Sequence, residues 1–219
     1  ARQSQDAKLS LNRLYDVYVD NDEDQRNSVN LSDRMCGDIV LQNVKFSYDK
    51  LSDIPTIKDV SFHIPEGKVT AIVGLSGSGK TTLLKLILGF YDLDSGSIMV
   101  GNKQLVALNK RNWRKKCGVV MQDGFIFSDT IARNIALDAM KLDMERVKKA
   151  AKIANIHDYI ENLPLQYNTK IGRDGHGLSL GQKQRILIAR AVYKNPDYIF
   201  LDEATNSLDA NNESEIMIH

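Results

Sequence analysis

Cysteine, tryptophan and proline are scarce in this chain of 219 residues, which contains two, one and four of them, respectively. Cys36 and Cys117 lie far apart and lack the spacing of metal ligands, and two cysteines are too few for a disulfide scaffold. We therefore expect a reduced, cytosolic setting. An excess of charge is also missing, because 29 basic residues face 28 acidic ones. This balance argues against a polyanion-coating protein, so any phosphate group has to bind at a local site.

Long apolar runs are absent too. No run approaches the roughly 18 residues that cross a bilayer, and the N-terminus has no basic segment followed by an apolar one. We expect the chain on its own to be soluble. It begins at Ala1 and reaches His219 inside a helical pattern, so we interpret it as part of a longer protein.

Apolar periodicity predicts an α/β fold. Helical spacing over residues 7–19, followed by a polar stretch over 20–33, predicts a connecting helix and a linker. Alternating residues then favour an antiparallel sheet, and the run over 130–160 favours a mostly helical insertion. Strands are expected at residues 39–41, 44–48, 57–64, 69–73, 97–100, 117–121 and 198–201, with 69–73 buried, and helices at 81–88 and 182–193.

Glycine is concentrated between the expected buried strand at 69–73 and the helix at 81–88. Residues 74–81 read Gly-Leu-Ser-Gly-Ser-Gly-Lys-Thr, the G-x-x-x-x-G-K-[ST] pattern of a phosphate-binding loop. Its backbone N–H groups would converge on phosphate oxygens, Lys80 would neutralise β- and γ-phosphate charge, and Thr81 would ligate Mg²⁺. A glycine-rich turn with a surface lysine is the alternative. ATP contacts are expected from Gly74, Ser76, Gly77, Ser78, Gly79, Lys80, Thr81 and Thr82.

Two carboxylates end the apolar strand at 198–201. Asp202 and Glu203 would therefore lie at the carboxyl edge of a parallel sheet, where ligands bind. We predict that Asp202 helps to hold Mg²⁺ and that Glu203 polarises the water that attacks ATP. A solvated loop is the alternative, and the phosphate loop upstream favours the catalytic interpretation.

Three further motifs complete a pattern. Residues 178–182 (Leu-Ser-Leu-Gly-Gln), the pair Gln122-Asp123 and residues 207–209 (Ser-Leu-Asp), together with the loop and the acidic pair, resemble the motifs of the ABC ATPase family over about residues 39–209. The resemblance implies a P-loop NTPase core with a parallel sheet, an antiparallel β subdomain and a helical subdomain at about 123–190. It further implies that residues 1–36 are the connecting helix and linker from a membrane domain, and that 37–219 form an ATPase domain that lacks its C-terminal strands.

The same resemblance assigns roles to residues outside the loop. Tyr48 would stack on adenine, as suits an aromatic face, and Gln122 would contact Mg²⁺ and sense the γ-phosphate during catalysis. Ser179, Gly181 and Gln182 would close on ATP that is held by a second, head-to-tail copy, where helix N–H groups suit a phosphate anion. The alternatives are a core tyrosine and an ordinary helix N-cap.

The sequence departs from the family in places. Leu180 stands where the family usually has glycine, and its side chain could crowd the nucleotide. Arg173 stands where exporters often have Glu, in a loop that touches their membrane domain. His219 is too close to the acidic pair to be the family's γ-phosphate histidine. His63 and His157 are expected to be non-catalytic, because a lone histidine lacks partners for chemistry.

Residues 125–131 and 134–135 are similar to the stretch that exporters place after the coupling glutamine. The resemblance therefore implies an ATP-hydrolysing exporter motor that works as a homodimer at the cytoplasmic face of a membrane, with its transmembrane domain on the same chain. The motif set resembles peptide and bacteriocin exporters in particular, although drugs and lipids stay open as cargo.

Two alternatives to the exporter motor stay open. A soluble ABC ATPase acting on nucleic acid or ribosomes is disfavoured by the missing basic stripes, and we expect no nucleic-acid partner. A regulatory module with little turnover is suggested by Leu180.

Overall fold

The computed structural model describes residues 37–50, 54–137, 140–172, 175 and 177–202. The predicted connecting helix and linker, Glu203 and residues 207–209 lie outside the described residues. The division of the chain at residues 36 and 37 therefore stays a prediction.

An antiparallel sheet opens the described part of the chain. Its strands are β1 (Ile39–Phe46), β2 (Ile57–Ile64), β3 (Ser95–Val100) and β4 (Lys103–Gln104). They lie in the order β2-β1-β3-β4, and the two segments predicted at 39–41 and 44–48 form the single strand β1. The register of β1 shifts between Leu41 and Val44, where Asn43 has a φ of 48°, so a bulge bends the strand without ending it.

Six α-helices lie within the described residues. They are α1 (Lys80–Ile87), α2 (Lys110–Lys115), α3 (Ile131–Ile135), α4 (Met144–Ile153), α5 (His157–Glu161) and α6 (Leu180–Tyr193). The helical run predicted at 130–160 is thus three helices, α3 to α5. Short 3-10 turns lie at Leu105–Ala107, before α2, and at Gln166–Asn168, after α5. Over the part of the chain that the structure covers, no helix combines the length and the apolar character that crossing a membrane requires.

Short polar side chains fix where several helices begin. Asn109, Thr130, Asp143 and Ser179 each accept a hydrogen bond from the backbone N–H three residues later, at the starts of α2, α3, α4 and α6. Such caps satisfy N–H groups that have no partner inside the helix. The sequence therefore sets these boundaries locally.

A parallel pair of strands follows the antiparallel sheet. Strand β5 (Cys117–Val120) pairs with β8 (Tyr198–Leu201), and a short antiparallel pair joins β6 (Asp129–Thr130) to β7 (Lys170–Ile171). Because β5 and β8 run in the same direction, the residues that follow them emerge at one edge. The predicted parallel sheet is confirmed in these two strands.

The predicted buried strand at residues 69–73 is wrong. The segment is irregular and its side chains are exposed, with Val73 89% exposed. A strand needs a neighbour to bond its N–H and C=O groups, and within the described residues β8 pairs with β5 alone. The apolar composition of the segment predicted burial but could not supply that neighbour.

Two apolar cores share strand β5. The first lies between the antiparallel sheet and α1, and is closed by Trp113, whose indole N–H donates to the Ile87 carbonyl at 2.8 Å. The second is formed by α3 to α6. Cys117, at the start of β5, belongs to the first core, whereas Val120, at its end, belongs to the second. The carboxyl edge of β5 therefore lies at the border between the two parts.

Cys117 is expected to resist alkylation in the folded protein. Burial raises the pKa of its thiol to about 12, so the reactive thiolate is scarce near neutral pH. Treatment with iodoacetamide at pH 8, followed by mass spectrometry, should leave the Cys117 peptide unlabelled in buffer and labelled in urea. Equal labelling rates in the two conditions would contradict this environment.

Candidate functional site

The loop at residues 74–79 has a backbone that only glycine tolerates at its end. Gly79 precedes α1 with a φ of 92°, and a Cβ there would lie 2.7 Å from the Ile57 Cδ1 atom. Gly77 also has a positive φ, of 78°. Since Gly79 has no side chain that could cap α1, the N–H groups of its first turn stay available to an anion.

Lys80 folds back over this loop. Its Nζ atom donates hydrogen bonds to the carbonyl oxygens of Gly74 and Leu75, both at 3.0 Å. The loop is tightened by a bond of 3.1 Å from the Ser78 N–H to the Leu75 carbonyl. The ammonium group is thus held beside the N-terminus of α1, where both favour negative charge.

Thr81 and Asp202 connect α1 to the end of strand β8. The Thr81 hydroxyl donates to Asp202 Oδ2 at 2.8 Å, although the two residues are 121 positions apart. Asp202 is only 6% exposed, and its N–H donates to the Val120 carbonyl at 2.9 Å, which extends the pairing of β8 with β5. The structure therefore brings the first predicted carboxylate against the phosphate loop.

Thr81→Val is expected to lower the free energy of unfolding by about 1–3 kcal/mol, because the buried Asp202 carboxylate loses a donor. Thr81→Ser keeps the hydroxyl and serves as the matched control. Urea denaturation followed by circular dichroism measures both. A Thr81→Val protein with the stability of the wild type, or a Thr81→Ser protein that loses more than Thr81→Val, would contradict a stabilising role for this hydrogen bond.

The oxygen atoms near Thr81 suit a magnesium ion. A hydroxyl and a carboxylate are hard donors, and Mg²⁺ is commonly held by one or two such groups together with phosphate oxygens. No cluster of three or more His, Cys, Asp or Glu side chains occurs among the residues the structure covers, so a cage made by protein alone is lacking there. The residues present fit an ion that arrives with ATP. Gln122, the third predicted ligand, is exposed in the turn after β5.

Tyr48 lies next to the loop rather than in a core. Its hydroxyl is 3.2 Å from the hydroxyl of Thr82, the residue that follows Thr81. The ring meets those of Phe46 and Tyr91 edge-on, with centroids 4.9 and 5.2 Å away, and the residue is 50% exposed. A flat aromatic surface is thus available beside the phosphate loop, as adenine stacking would require.

The residues of the 178–182 motif lie on the helical part of the molecule. The Ser179 hydroxyl accepts from the Gln182 N–H at 3.2 Å, and the Gln182 side chain accepts from the Ser179 N–H at 2.9 Å. This capping box matches the alternative interpretation of Ser179, an ordinary helix N-cap, and the contact with a partner's ATP stays a prediction. Leu180 is 65% exposed, and Gly181 follows it in the first turn of α6. The described hydrogen bonds of Ser179 stay within its own helix.

Sequence reasoning did not single out two residues that the structure connects to the loop after Gln122 (residues 123–128). Asn134 is fully buried in α3, and Arg190 extends from α6 to bond it and the loop after Gln122. One signal in the sequence could have found Asn134. It lies on the buried face of the helix that contains Ile131 and Ile135, where a polar side chain needs hydrogen-bond partners.

The described histidines take structural partners. His63 Nε2 is 2.6 Å from Asp38 Oδ2, and His157 Nδ1 is 2.7 Å from the Tyr167 hydroxyl. A hydrogen bond from the Glu66 N–H, and then the contact with His63, lower the pKa of Asp38. Neither histidine belongs to the site built around Thr81.

Comparisons with known proteins agree with this arrangement. The family model for the ABC transporter matches residues 57–206. The ATP-dependent lipid A-core flippase of Saccharophagus degradans is 45% identical over 180 residues, which are 82% of this chain and 30% of the flippase. The leukotoxin translocation ATP-binding protein LktB of Mannheimia haemolytica is 43% identical over 215 residues, which are 97% of this chain and 30% of LktB. The chain thus spans about a third of the length of these relatives.

A solved structure extends the comparison to the fold. The structure of a bacterial Atm1-family ABC exporter with ATP bound is 34% identical, has a TM-score of 0.85, and covers 99% of this chain with 37% of its own. The predicted fold class and family are confirmed. The chain belongs to the ABC transporter family, of which it is the ATP-binding ATPase domain.

Proposed function

We propose that this domain is the motor of an ABC exporter, which binds Mg²⁺ and ATP, pairs head-to-tail with a second copy and uses hydrolysis to drive export. The observation that carries the proposal is the contact between Thr81 and Asp202 directly beside Lys80. A cation, a helix N-terminus and a buried carboxylate thus come from neighbouring residues, a combination that suits ATP and its magnesium ion.

Each of these groups has a role in phosphoryl transfer. Lys80 exchanges its two carbonyl partners for oxygens of the β- and γ-phosphates, whose charge it neutralises. Thr81, Asp202 and Gln122 would hold the magnesium ion, which when bound offsets negative charge on the phosphates. Glu203 directly follows Asp202 and accepts a proton from water as the water oxygen bonds to the γ-phosphorus. The bond to the β–γ bridging oxygen breaks, and ADP and phosphate leave.

The start of α6 supports the head-to-tail pairing. Ser179, Leu180 and Gly181 begin a helix whose N-terminus suits the γ-phosphate of ATP held by the other copy. Loss of that phosphate removes contacts that exist only in the closed pair, so hydrolysis opens it.

A groove beside α1 and β5 supports a membrane-domain partner. Its cavity of about 600 Å³ is bordered by the exposed ring of Phe90, and Arg114 covers that ring at 5.2 Å. We infer that a segment of a transmembrane domain on the same chain occupies it, which would place this domain at the cytoplasmic face. The relatives named for lipid A-core flipping and leukotoxin translocation are about three times longer, which leaves room for such a domain. The groove is lined by Lys85, Leu88, Phe90, Tyr91, Arg114, Cys117, Val119, Met121 and Lys194.

Fractionation of the source cells tests the proposed setting. An antibody to this domain should detect a detergent-extractable membrane polypeptide at least about twice the size of this chain, as expected when a membrane domain precedes the motor. The purified full-length protein should hydrolyse ATP. A soluble band near the 24.6 kDa of this chain would contradict the fused exporter.

A regulatory module is the second candidate, and the exposed Leu180 favours it. A bulky side chain at the first turn of α6 would stand between this helix and the partner's nucleotide. ATP-dependent dimerisation of the full-length protein without measurable hydrolysis would support regulation. Rapid turnover that disappears in Glu203→Gln would exclude it.

A further inference from the structure

Arg190, on α6, binds the loop after Gln122 (residues 123–128). Its Nη1 atom donates to the Phe125 carbonyl at 2.8 Å, and its Nε atom donates to the Asn134 carbonyl at 2.7 Å. The guanidinium also lies 5.5 Å from the centre of the Phe127 ring. A planar group with donors in a fixed fork is thus used on several partners at once.

Asn134 holds the same loop from α3. Its amide Nδ2 donates to the carbonyls of Phe127 at 3.0 Å, Thr130 at 3.1 Å and Asp129 at 3.4 Å. Its Oδ1 atom accepts from the Phe127 N–H at 2.9 Å and from Arg190 Nη2 at 3.1 Å. Because Asn134 is fully buried, removing its side chain would break all of these bonds and leave a cavity in their place.

The loop also packs directly on α6. Gly124 lies so close to Leu187 that a Cβ at this position would collide with the leucine side chain. Ile126 packs against the helical core that contains Leu187. The two exposed rings of Phe125 and Phe127, with centroids 5.0 Å apart, therefore stand on a loop that is fixed to the helix.

We propose that Arg190 and Asn134 are positioning residues that join the loop after Gln122 to helix α6 as one rigid unit, so that the Ser179 end of the helix moves with the loop. The inference rests on the proposed function, because this motion affects hydrolysis only if the Ser179 end of α6 contacts a partner's ATP. Displacement of the exposed Phe125 and Phe127 rings is transmitted to the N-terminus of α6, which meets the partner's ATP. Both residues bond the loop after Gln122, so they act through Gln122 and Ser179.

Arg190→Lys in the full-length protein tests the link. Lysine keeps the charge but cannot bond three acceptors in a plane. We expect kcat for ATP hydrolysis to fall roughly 10- to 100-fold, while KM for ATP changes less than about twofold, because misplacement rather than binding is affected. The matched control is Arg185→Lys on the same helix, whose Nη1 atom donates to the Asn155 carbonyl and not to the loop. This control should keep kcat within about twofold.

Combining substitutions shows whether the two residues act together. Asn134→Ala with Arg190→Lys should reduce kcat no further than the stronger single variant, because either change breaks the same unit. Multiplication of the two single effects would overturn the proposal. So would an Arg190→Lys protein with the kcat of the wild type, or one that loses ATP affinity instead.

Hydrogen exchange gives a readout that does not depend on activity. Amides of residues 125–129 should exchange faster in Arg190→Lys and at the wild-type rate in Arg185→Lys. Unchanged exchange in both would overturn the rigid unit. If Arg190→Lys does not fold, Gly124→Ala, which pushes the same loop away from Leu187, takes its place. A wild-type protein without ATPase would instead sink the proposed function, and the exchange experiment would still decide the inference.

Discussion

Lys80→Ala should abolish ATP hydrolysis and weaken ATP binding by roughly 100-fold or more, since two charge-assisted hydrogen bonds are worth about 3–6 kcal/mol. The ammonium already lies over the loop, where it bonds two carbonyl oxygens at 3.0 Å. In the proposed site, these donors face phosphate oxygens when ATP is bound. Lys80 is the one lysine within the 74–81 motif, so no other lysine there neutralises the phosphate charge. Alanine removes both the donors and the charge.

The matched control for this experiment is Lys85→Ala. Lys85 lies on the same helix but lines the groove beside Phe90 rather than the loop. Titration calorimetry with ATP and magnesium should give wild-type affinity for Lys85→Ala and almost no heat for Lys80→Ala. Both variants should keep the thermal unfolding temperature of the wild type. Unchanged turnover in Lys80→Ala would remove the assignment of the phosphate loop.

Glu203→Gln should separate binding from hydrolysis. Glutamine keeps the shape of the side chain but cannot accept the proton of the attacking water, so kcat should fall about 10²- to 10⁴-fold. ATP affinity should stay close to that of the wild type, because Lys80 and Thr81 are intact. With hydrolysis blocked, the ATP-bound pair should persist and elute from a sizing column as a dimer.

Asp202→Asn is the informative comparison for Glu203→Gln. Asp202 accepts the Thr81 hydroxyl and is buried, so its loss should weaken the dependence of ATP binding on magnesium. Glu203→Gln should leave that dependence unchanged. A Glu203→Gln protein with wild-type turnover would mean that another group activates the water.

Local patterns predicted much of the fold correctly because they report interactions between near neighbours. The alternation over Ile57–Ile64 and the apolar run Tyr198–Leu201 gave strands with the observed bounds. The helix predicted at 182–193 begins two residues earlier, and its N-cap at Ser179 could be named as an alternative because capping depends only on the next three residues. The segment 69–73 failed because a strand is defined by its neighbour, which a local pattern cannot identify.

The candidate site shows the same contrast between local patterns, which could be predicted, and contacts between distant residues, which could not. The phosphate-loop pattern placed Lys80 and Thr81 at the start of α1, and the end of an apolar strand placed Asp202 at the sheet edge. Arg190 was not found, because its partners lie 56 and 65 residues earlier in the chain. A charged residue in a mostly apolar helix could be read as solvent-exposed, and only the tertiary packing shows that it holds a loop.

The contact between Thr81 and Asp202 also determines when, during synthesis of the chain, the phosphate loop can gain its carboxylate. A ribosome makes the phosphate loop first, and after Thr81 it adds 120 residues before Asp202 is joined to the chain. At roughly 5–20 residues per second, this takes about 6–24 s. Strand β8 must then find β5 across the whole helical part before the carboxylate can reach the hydroxyl. The nascent chain therefore joins Thr81 to Asp202 only after the helical part has left the ribosome, and a chain whose synthesis stops between the two positions has a loop without its carboxylate.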